Sequence, residues 1–274
     1  MPLTELTLAD FEPGEPIRTA VQRELAIWRQ MYDEVDEPDP LVDFALTWLD
    51  DNIPTVDAPA VLVHGDAGPG NFLFENGHMS ALLDWELAHP GDPMEDLAWF
   101  SMRSVMEPVP DFPAVISAYE RIAGSAVDLA RIAYHRVFVS ARVVIIRHRN
   151  VTGEPGNSIV SKALNRRLLI DAISAADGHE PPILRIEAPT NTERTALYDG
   201  VLDDLRDRIA RRTTDPDVVA SAKNAAKVLK YLREYDRRGR EFDTQDARER
   251  AALIATLTPD QPVSERALSD LIRA

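Results

Sequence analysis

The sequence predicts a mainly helical α+β protein, in which a small β-hairpin region sits among helices and is followed by a helical bundle. Three observations point there. Apolar residues recur at helical spacing along most of the chain. The stretch VLVHGDAGPGNFLFENGHMSALLDWELAHPGDPMEDLAWF, from Val61 to Phe100, breaks that pattern with short apolar runs set between glycine turns. From Thr192 to Ala274 the chain returns to amphipathic helical segments alone.

Taken in order, residues 1–17 hold Pro2, Pro13, Gly14 and Pro16 with little periodicity and read as an extended arm. Ile17 to Tyr32 places Val21, Leu25, Trp28, Met31 and Tyr32 at helical spacing, and the acidic run DEVDEPDP breaks that helix. Leu41 to Leu49 makes a second helix, with Leu41, Phe44, Ala45, Trp48 and Leu49 on one face. Ala60 to Val63 is a short apolar run that stops at His64-Gly65, so it reads as a buried strand. Asp66 then falls at a strand end. Ala67-Gly68-Pro69-Gly70 forms a tight loop that delivers Asn71 back beside Asp66. Phe72 to Phe74 and Met79 to Leu83 form a hairpin joined by Glu75-Asn76-Gly77-His78, and its second strand ends at Asp84-Trp85-Glu86.

Beyond this block, Met94 to Met106 reads as a largely buried helix, with Trp85 and Trp99 expected in the core. Phe112 to Ile122 is another, closed by Gly124. Val127 to Arg149 turns Leu129, Ile132, Val137, Ala141, Val144 and Ile145 inward and its arginines, Arg142 among them, elsewhere, for an anion or for solvent. VTGEPGN is a loop and Ser158 to Ala176 a further helix. Residues 177–191 are the expected linker between a front domain, 1–176, and a helical appendage, 192–274. Stripes of Leu197, Val201, Leu202, Leu205 and Ile209, then Val218, Val219, Ala222, Ala226 and Leu229, then Leu253, Ile254 and Leu257 give that appendage its bundle character and suit oligomerisation.

Composition bounds the function. With 274 residues and 45% hydrophobic content the chain can build one large or two ordinary cores. The absence of cysteine excludes disulfides and thiol catalysis and fits a reducing cytoplasm. No apolar run reaches bilayer length and the acidic start lacks a signal-peptide core, so no membrane association is expected. Residues 1–110 carry 22 Asp and Glu against 4 Arg, a net of −18. That acidity disfavours a nucleic-acid partner. It suits a cationic substrate, a cleft that meets phosphates only through magnesium, or simply a solvated acidic face.

Phosphoryl transfer asks little covalent help of a protein, but it needs a carboxylate to orient the attacking hydroxyl and hard oxygen ligands for magnesium. Asp66, Asn71 and Asp84 offer such a set. In the protein-kinase pattern H-R-D-x-x-x-x-N an asparagine follows the aspartate by five residues, as Asn71 follows Asp66, and a metal-binding aspartate comes after a hairpin, as Asp84 does. HGDAGPGN, LLDWE and HPGDPMEDLAWF together resemble the C-terminal lobe of the aminoglycoside phosphotransferase and choline kinase-like family, which has a protein-kinase-like fold. Trp28, the run WLDDNIP and the DWE triplet carry a further resemblance to the kinase-like domains associated with acyl-CoA dehydrogenases. The resemblance spans roughly residues 20–150. It implies Asp66 as catalytic base, Asn71 and Asp84 as magnesium ligands and cofactor-binding groups, and His64 as a loop brace in the catalytic motif. Asp92 and Asp96 would hold the loop and cap the following helix, and Glu86 would contact substrate or brace the metal loop. Mg2+ and ATP are the implied cofactor and co-substrate, and a hydroxylated small molecule the acceptor.

That family's nucleotide lobe carries a glycine-rich loop and a strand lysine. Here the only glycine before Gly65 is Gly14 and the first lysine is Lys162. The expectation is therefore a catalytic half whose nucleotide lobe is a separate polypeptide or lies upstream. Two readings stand beside it: a binding module that does not phosphorylate its ligand, and a metal-dependent hydrolase using Asp66, Asp84 and His64. Zinc is disfavoured, since His78 and His89 fall in predicted turns and no cysteine is present.

Overall fold

Two backbone hydrogen bonds open the fold: Ile17 N donates to Ala58 O at 3.0 Å and Ala60 N to Glu15 O at 2.8 Å, clipping the start of the first helix to the segment ahead of the first strand. The computed structural model describes residues 14–109, 111–149, 155–180, 188–257 and 264–274; the expected arm up to Pro13, the first part of the VTGEPGN loop and the middle of the expected linker lie outside them. Contacts divide the chain into two compact units. The first takes the described residues up to Glu37, then Leu41–Ile146 and Arg167 to 180; the second takes 38–40, the described part of 147–166 and everything described from 188 onward.

In the first unit, α1 (Ile17–Asp33) and α2 (Pro40–Asp51) meet α5 (Leu129–Arg149) and the second half of α6 (Pro155–Ala176). Their core holds Val21, Leu25 and Trp28 with Leu46 and Leu49, Phe138 and Ile145, and Leu169. Against it stands β1 (Val61–Val63), paired antiparallel with β4 (His89–Gly91) so that Val63 faces His89. Between these strands the chain makes the hairpin of β2 (Phe72–Glu75) and β3 (His78–Leu82). Glu75 and His78 pair, so the turn is only Asn76-Gly77, both at positive φ of 50° and 80°, the geometry that matches strand twist. His78 and His89 thus lie in strands, not in the turns expected for them.

α3 (Met94–Arg103) stops short of the expected Met106. Ser104 Oγ donates to Ser101 O at 2.6 Å, the carbonyl the next α-helical amide would have used, and Val105 N turns instead to Met102 O. α4 (Phe112–Ala123) begins at Asp111, whose carboxylate accepts from Ala114 N at 3.0 Å, and ends at Gly124 with φ 70°. α5 starts at Asp128, which accepts from the amides of Ala130 and Arg131.

Helical spacing misjudged two faces of α5. Leu129, read as inward, is 69% exposed, and Arg142, read as outward, is 1% exposed. Its guanidinium lies 4.0 Å from the Phe138 ring centroid and donates to Glu95 Oε1 at 2.6 Å. Glu95, itself buried, also faces His89 Nε2 at 3.3 Å. Burial alone would raise the Glu95 carboxyl, but Arg142 and His89 outweigh it and hold it far below the usual carboxylate range. Beside it Asp92 is fully buried, accepts from Arg131 Nε at 2.8 Å and lies 3.2 Å from His135 Nε2.

The second unit is helical throughout its regular elements. α7 (Thr195–Asp203) runs on through a π-helical stretch, Asp204–Ala210, to α8 (Pro216–Leu257), and α9 (Glu265–Arg273) is capped by Ser264. Of the apolar stripes read as bundle faces, the first is partly open, with Leu197 70% and Val201 48% exposed, while Ala222 and Ile254 of the others are buried. Side-chain pairs join the elements instead: Arg233 to Asp199 at 2.7 Å and Arg250 to Glu265 at 3.1 Å. Exposed pairs of this kind contribute about 0 to 1 kcal/mol each. Among the described residues no helix is long and apolar enough to cross a membrane.

Glu95→Gln leaves the buried Arg142 with only its longer pair to Glu24, at 3.6 Å, and is expected to cost about 3 kcal/mol in urea unfolding of the full chain. The Asp92 group gives a pH signature. Burial would raise its carboxyl, but bonding to His135 and Arg131 brings it from an ordinary 3.8 down to about 2. A depressed carboxyl stabilises the fold above its unfolded value and loses that contribution as pH falls through its folded value. Stability should therefore drop by about 2 kcal/mol between about pH 4 and pH 2, and Asp92→Asn should flatten that part of the urea-midpoint profile.

Candidate active site

Val63 enters a turn that only glycine can make next: Gly65 has φ 78°, and a Cβ there would lie 2.2 Å from Leu87 O. The loop so formed hangs on one carboxylate. Asp96, in the first turn of α3, accepts from His64 N at 2.9 Å and from Gly65 N at 3.1 Å. Burial raises the Asp96 carboxyl above its ordinary range and outweighs these amides, which favour the ionised form.

His64 is 3% exposed and both its ring nitrogens are engaged. Nδ1 accepts from Asp66 N at 3.3 Å, which makes Nε2 the protonated nitrogen, and Nε2 donates to Leu83 O at 2.8 Å. Its ring leans on Trp85, with centroids 4.8 Å apart. No ring nitrogen is left for a substrate proton, so His64 acts as a brace. Asn71 Nδ2 donates to Asp66 Oδ2 at 3.0 Å and to Asp66 O at 2.9 Å, which joins the two ends of the loop. Asn71 O also accepts from Leu83 N at 2.9 Å. Leu83 is thus bonded through its amide to Asn71 and through its carbonyl to His64. Asp84 follows directly, in the left-handed region at φ 67° and ψ 57°, with an exposed side chain.

The remaining expected residues fall as follows. Asp92 accepts from Met94 N at 2.9 Å and pairs with Arg131, bracing the start of α3 from below rather than touching the loop. Glu86 is exposed on the single 3-10 turn Trp85–Leu87. Trp85, expected in the core, is 46% exposed, because its indole caps the site side of His64 and donates to Leu82 O at 2.9 Å; Trp99 is buried.

Arg103 escaped the sequence reading. Its Nη1 donates to Asp66 Oδ1 at 2.8 Å and its Nη2 lies 3.4 Å from Glu107 Oε1. Both oxygens of Asp66 therefore have partners. The loop is shaped around this guanidinium: a Cβ at Gly68 would lie 2.4 Å from Arg103 Cδ, and one at Gly70 2.9 Å from Arg103 Nη2. The available signal was scarcity, since Arg103 is one of 4 arginines in the first 110 residues, with two glycines in the loop it would have to approach.

Among the described residues no three His, Cys, Asp or Glu side chains form a metal-holding group by themselves. The donors that could serve are the Asn71 side-chain oxygen, left over when its nitrogen turns to Asp66, and the exposed Asp84 carboxylate. Such a sparse, all-oxygen set suits Mg2+, which keeps several waters and takes the rest of its shell from phosphates. It does not suit zinc.

This loop, hairpin and following helix lie inside one matched segment. Residues 5–135 match the phosphotransferase enzyme family. The phosphotransferase match is accompanied by curated relatives: acyl-CoA dehydrogenase family member 11 of Gallus gallus is 25% identical over 181 residues, covering 58% of this chain and 21% of that protein. The same-named protein of Mus musculus is 36% identical over 84 residues, covering 30% of this chain and 11% of that protein. The chain thus spans about a fifth or less of the length of these relatives. Among solved structures, a thermostable mutant of aminoglycoside phosphotransferase APH(4)-Ia in apo form aligns over 58% of this chain and 54% of its own, at 19% identity and a TM-score of 0.43.

Loop and guanidinium should behave as one unit. Gly68→Ala is expected to destabilise the chain in the presence of Arg103 and to cost far less beside Arg103→Ala, which removes the obstructing Cδ and Nε atoms. A double-mutant cycle by urea unfolding should return a coupling of about 1 kcal/mol.

Proposed function

We propose that this chain binds the acceptor and catalyses an ATP-dependent phosphoryl transfer to the hydroxyl of a small molecule. The observation that carries this reading is the double bond pattern on Leu83, which ties the residue before Asp84 to the two loop residues that flank and orient Asp66. Asp66, Asn71 and Asp84 are thereby tied to one loop.

In this reading Asp66 accepts a hydrogen bond from the acceptor hydroxyl and takes its proton as that oxygen bonds the γ-phosphorus of ATP and the bond from phosphorus to the ADP oxygen breaks, ADP leaving. Asn71 keeps the carboxylate turned toward the loop mouth, and His64 and Asp96 hold the backbone that carries it. Asn71 and Asp84 would hold Mg2+, whose contribution is to neutralise charge on the transferring phosphate. The nucleotide phosphates would be covered by a lobe outside these residues, since no lysine precedes Lys162 and glycine is scarce ahead of the loop. The acceptor proposed for testing is a hydroxyacyl thioester, because the two relatives are named for acyl-CoA.

A second reading, a module that binds such a ligand without phosphorylating it, draws support from Arg103, which already occupies one oxygen of Asp66.

The test is transfer from Mg-ATP to a hydroxyacyl-CoA, followed by ADP release and product mass, using the full chain alone and with an added nucleotide lobe. Phosphorylated product is expected, and Asp66→Asn should lower turnover by about 10^2- to 10^4-fold. Turnover that ignores Asp66→Asn would remove Asp66 from the chemistry; thioester binding without any transfer would favour the second reading.

A further inference from the structure

We infer that His89 is a positioning residue for the candidate site: held as an imidazolium, it pins the turn Trp85–Leu87 that follows Asp84, and loss of its proton releases that turn. The partners of the ring require the charge. Nδ1 lies 2.8 Å from Leu87 O and Nε2 lies 3.3 Å from Glu95 Oε2. A peptide carbonyl only accepts, and so does a carboxylate that Arg142 keeps ionised. A neutral imidazole donates from one nitrogen alone, so both bonds form together only when the ring carries two protons.

The charges around the ring ask for the same proton. Glu95 of α3, Arg142 of α5 and Glu24 of α1 face it. The two carboxylates share the one guanidinium, which lies 2.6 Å from Glu95 and 3.6 Å from Glu24, so one negative charge is left over inside the protein. The second His89 proton neutralises it. His135 of α5 reaches the same Glu95 oxygen only at 3.9 Å, Asp92 and Asp96 are turned to Arg131 and to the loop amides, and β1 brings only Val61, Leu62 and Val63. The His89 side chain is 11% exposed. Burial would lower its pKa, but Glu95 outweighs burial and the net shift is upward from 6.5.

Leu87 O is also the atom against which the Gly65 turn packs, since a Cβ at Gly65 would lie 2.2 Å from it. The turn that ends at Leu87 begins just after Asp84 and carries Trp85, whose ring leans on His64. A neutral His89 breaks this arrangement in either tautomer. With the proton on Nδ1, a lone pair on Nε2 faces the Glu95 carboxylate; with the proton on Nε2, a lone pair on Nδ1 faces Leu87 O. One contact must open. Because the folded pKa is raised, the stability that His89 contributes is complete below about 6.5 and is lost as pH rises through the folded value.

Nitrogen-15 NMR of the histidine side chains in the full chain tests this whether or not the chain transfers phosphate. At about pH 6 the His89 ring, assigned through bonds to its own backbone, should carry protons on both nitrogens, and its titration midpoint should lie above 6.5. Fluorine NMR of the chain labelled with 5-fluorotryptophan reads the turn: the Trp85 resonance should shift with the same midpoint as the His89 ring, which a histidine that served the core alone would not cause. The urea midpoint should fall between about pH 6.5 and pH 9, and His89→Gln should remove that fall. Both NMR readouts use the unaltered sequence, so a His89→Gln chain that fails to fold leaves the test standing. A His89 ring with a single proton at about pH 6, or a Trp85 resonance that stays still or follows the His64 ring instead, would each overturn the proposal.

Discussion

The candidate site depends on one carboxylate accepting two consecutive backbone amides. Asp96 takes the hydrogen bonds of His64 N and Gly65 N, and the turn between them is too tight for any residue with a side chain. Everything downstream inherits its position from that anchor: the His64 ring, the Asp66 carboxylate, the return of Asn71 and the attachment of Leu83. The anchor is itself held from beneath. Asp92 and Glu95, the neighbours of Asp96 at the start of α3, are buried in a lattice of Arg131, His135, His89 and Arg142, so the helix end cannot shift without exposing charge inside the protein.

The buried ionic layer also explains the division of labour among the acidic residues. Those with short sequence spacing along α3 point to different places: Asp92 and Glu95 to arginine and histidine partners in the core, Asp96 to the loop. Asp66 and Asp84 lie nearer the surface, and they differ in support. Asp66 is held at both oxygens, whereas Asp84 is oriented by its backbone and left open at its side chain.

Much of this was legible in the residues alone. Helices, the hairpin and the loop followed from spacing, glycine and proline, because those signals act locally through backbone conformation. Asp66, Asn71 and Asp84 were singled out by residue type and spacing, and the structure ties Asn71 to Asp66 and to Leu83, the residue before Asp84. Arg103 and Arg142 were not, and for a common reason. Each is a long cation whose partner lies 37 to 47 residues away in sequence, so neither helical periodicity nor motif spacing registers it. The same blindness placed Trp85 in the core and Leu129 inside, since a one-residue rotation of a helix or turn decides exposure. In the second unit, apolar stripes were read as the faces of bundled helices; Leu197 and Val201 stay exposed while Ala222 and Ile254 are buried, and what a stripe faces is not a local property.

The left-handed backbone at Asp84 has a consequence for how such a site can decay. Aspartate and asparagine tolerate that conformation better than most residues, and glycine is at ease in it. A lineage released from selection for chemistry would find Asn or Gly its least disruptive replacements there, whereas Glu, the nearest match in charge, would strain the chain. Descendants that had lost the negative charge would thus keep the loop's shape, and their ancestry would stay visible long after the reaction had gone.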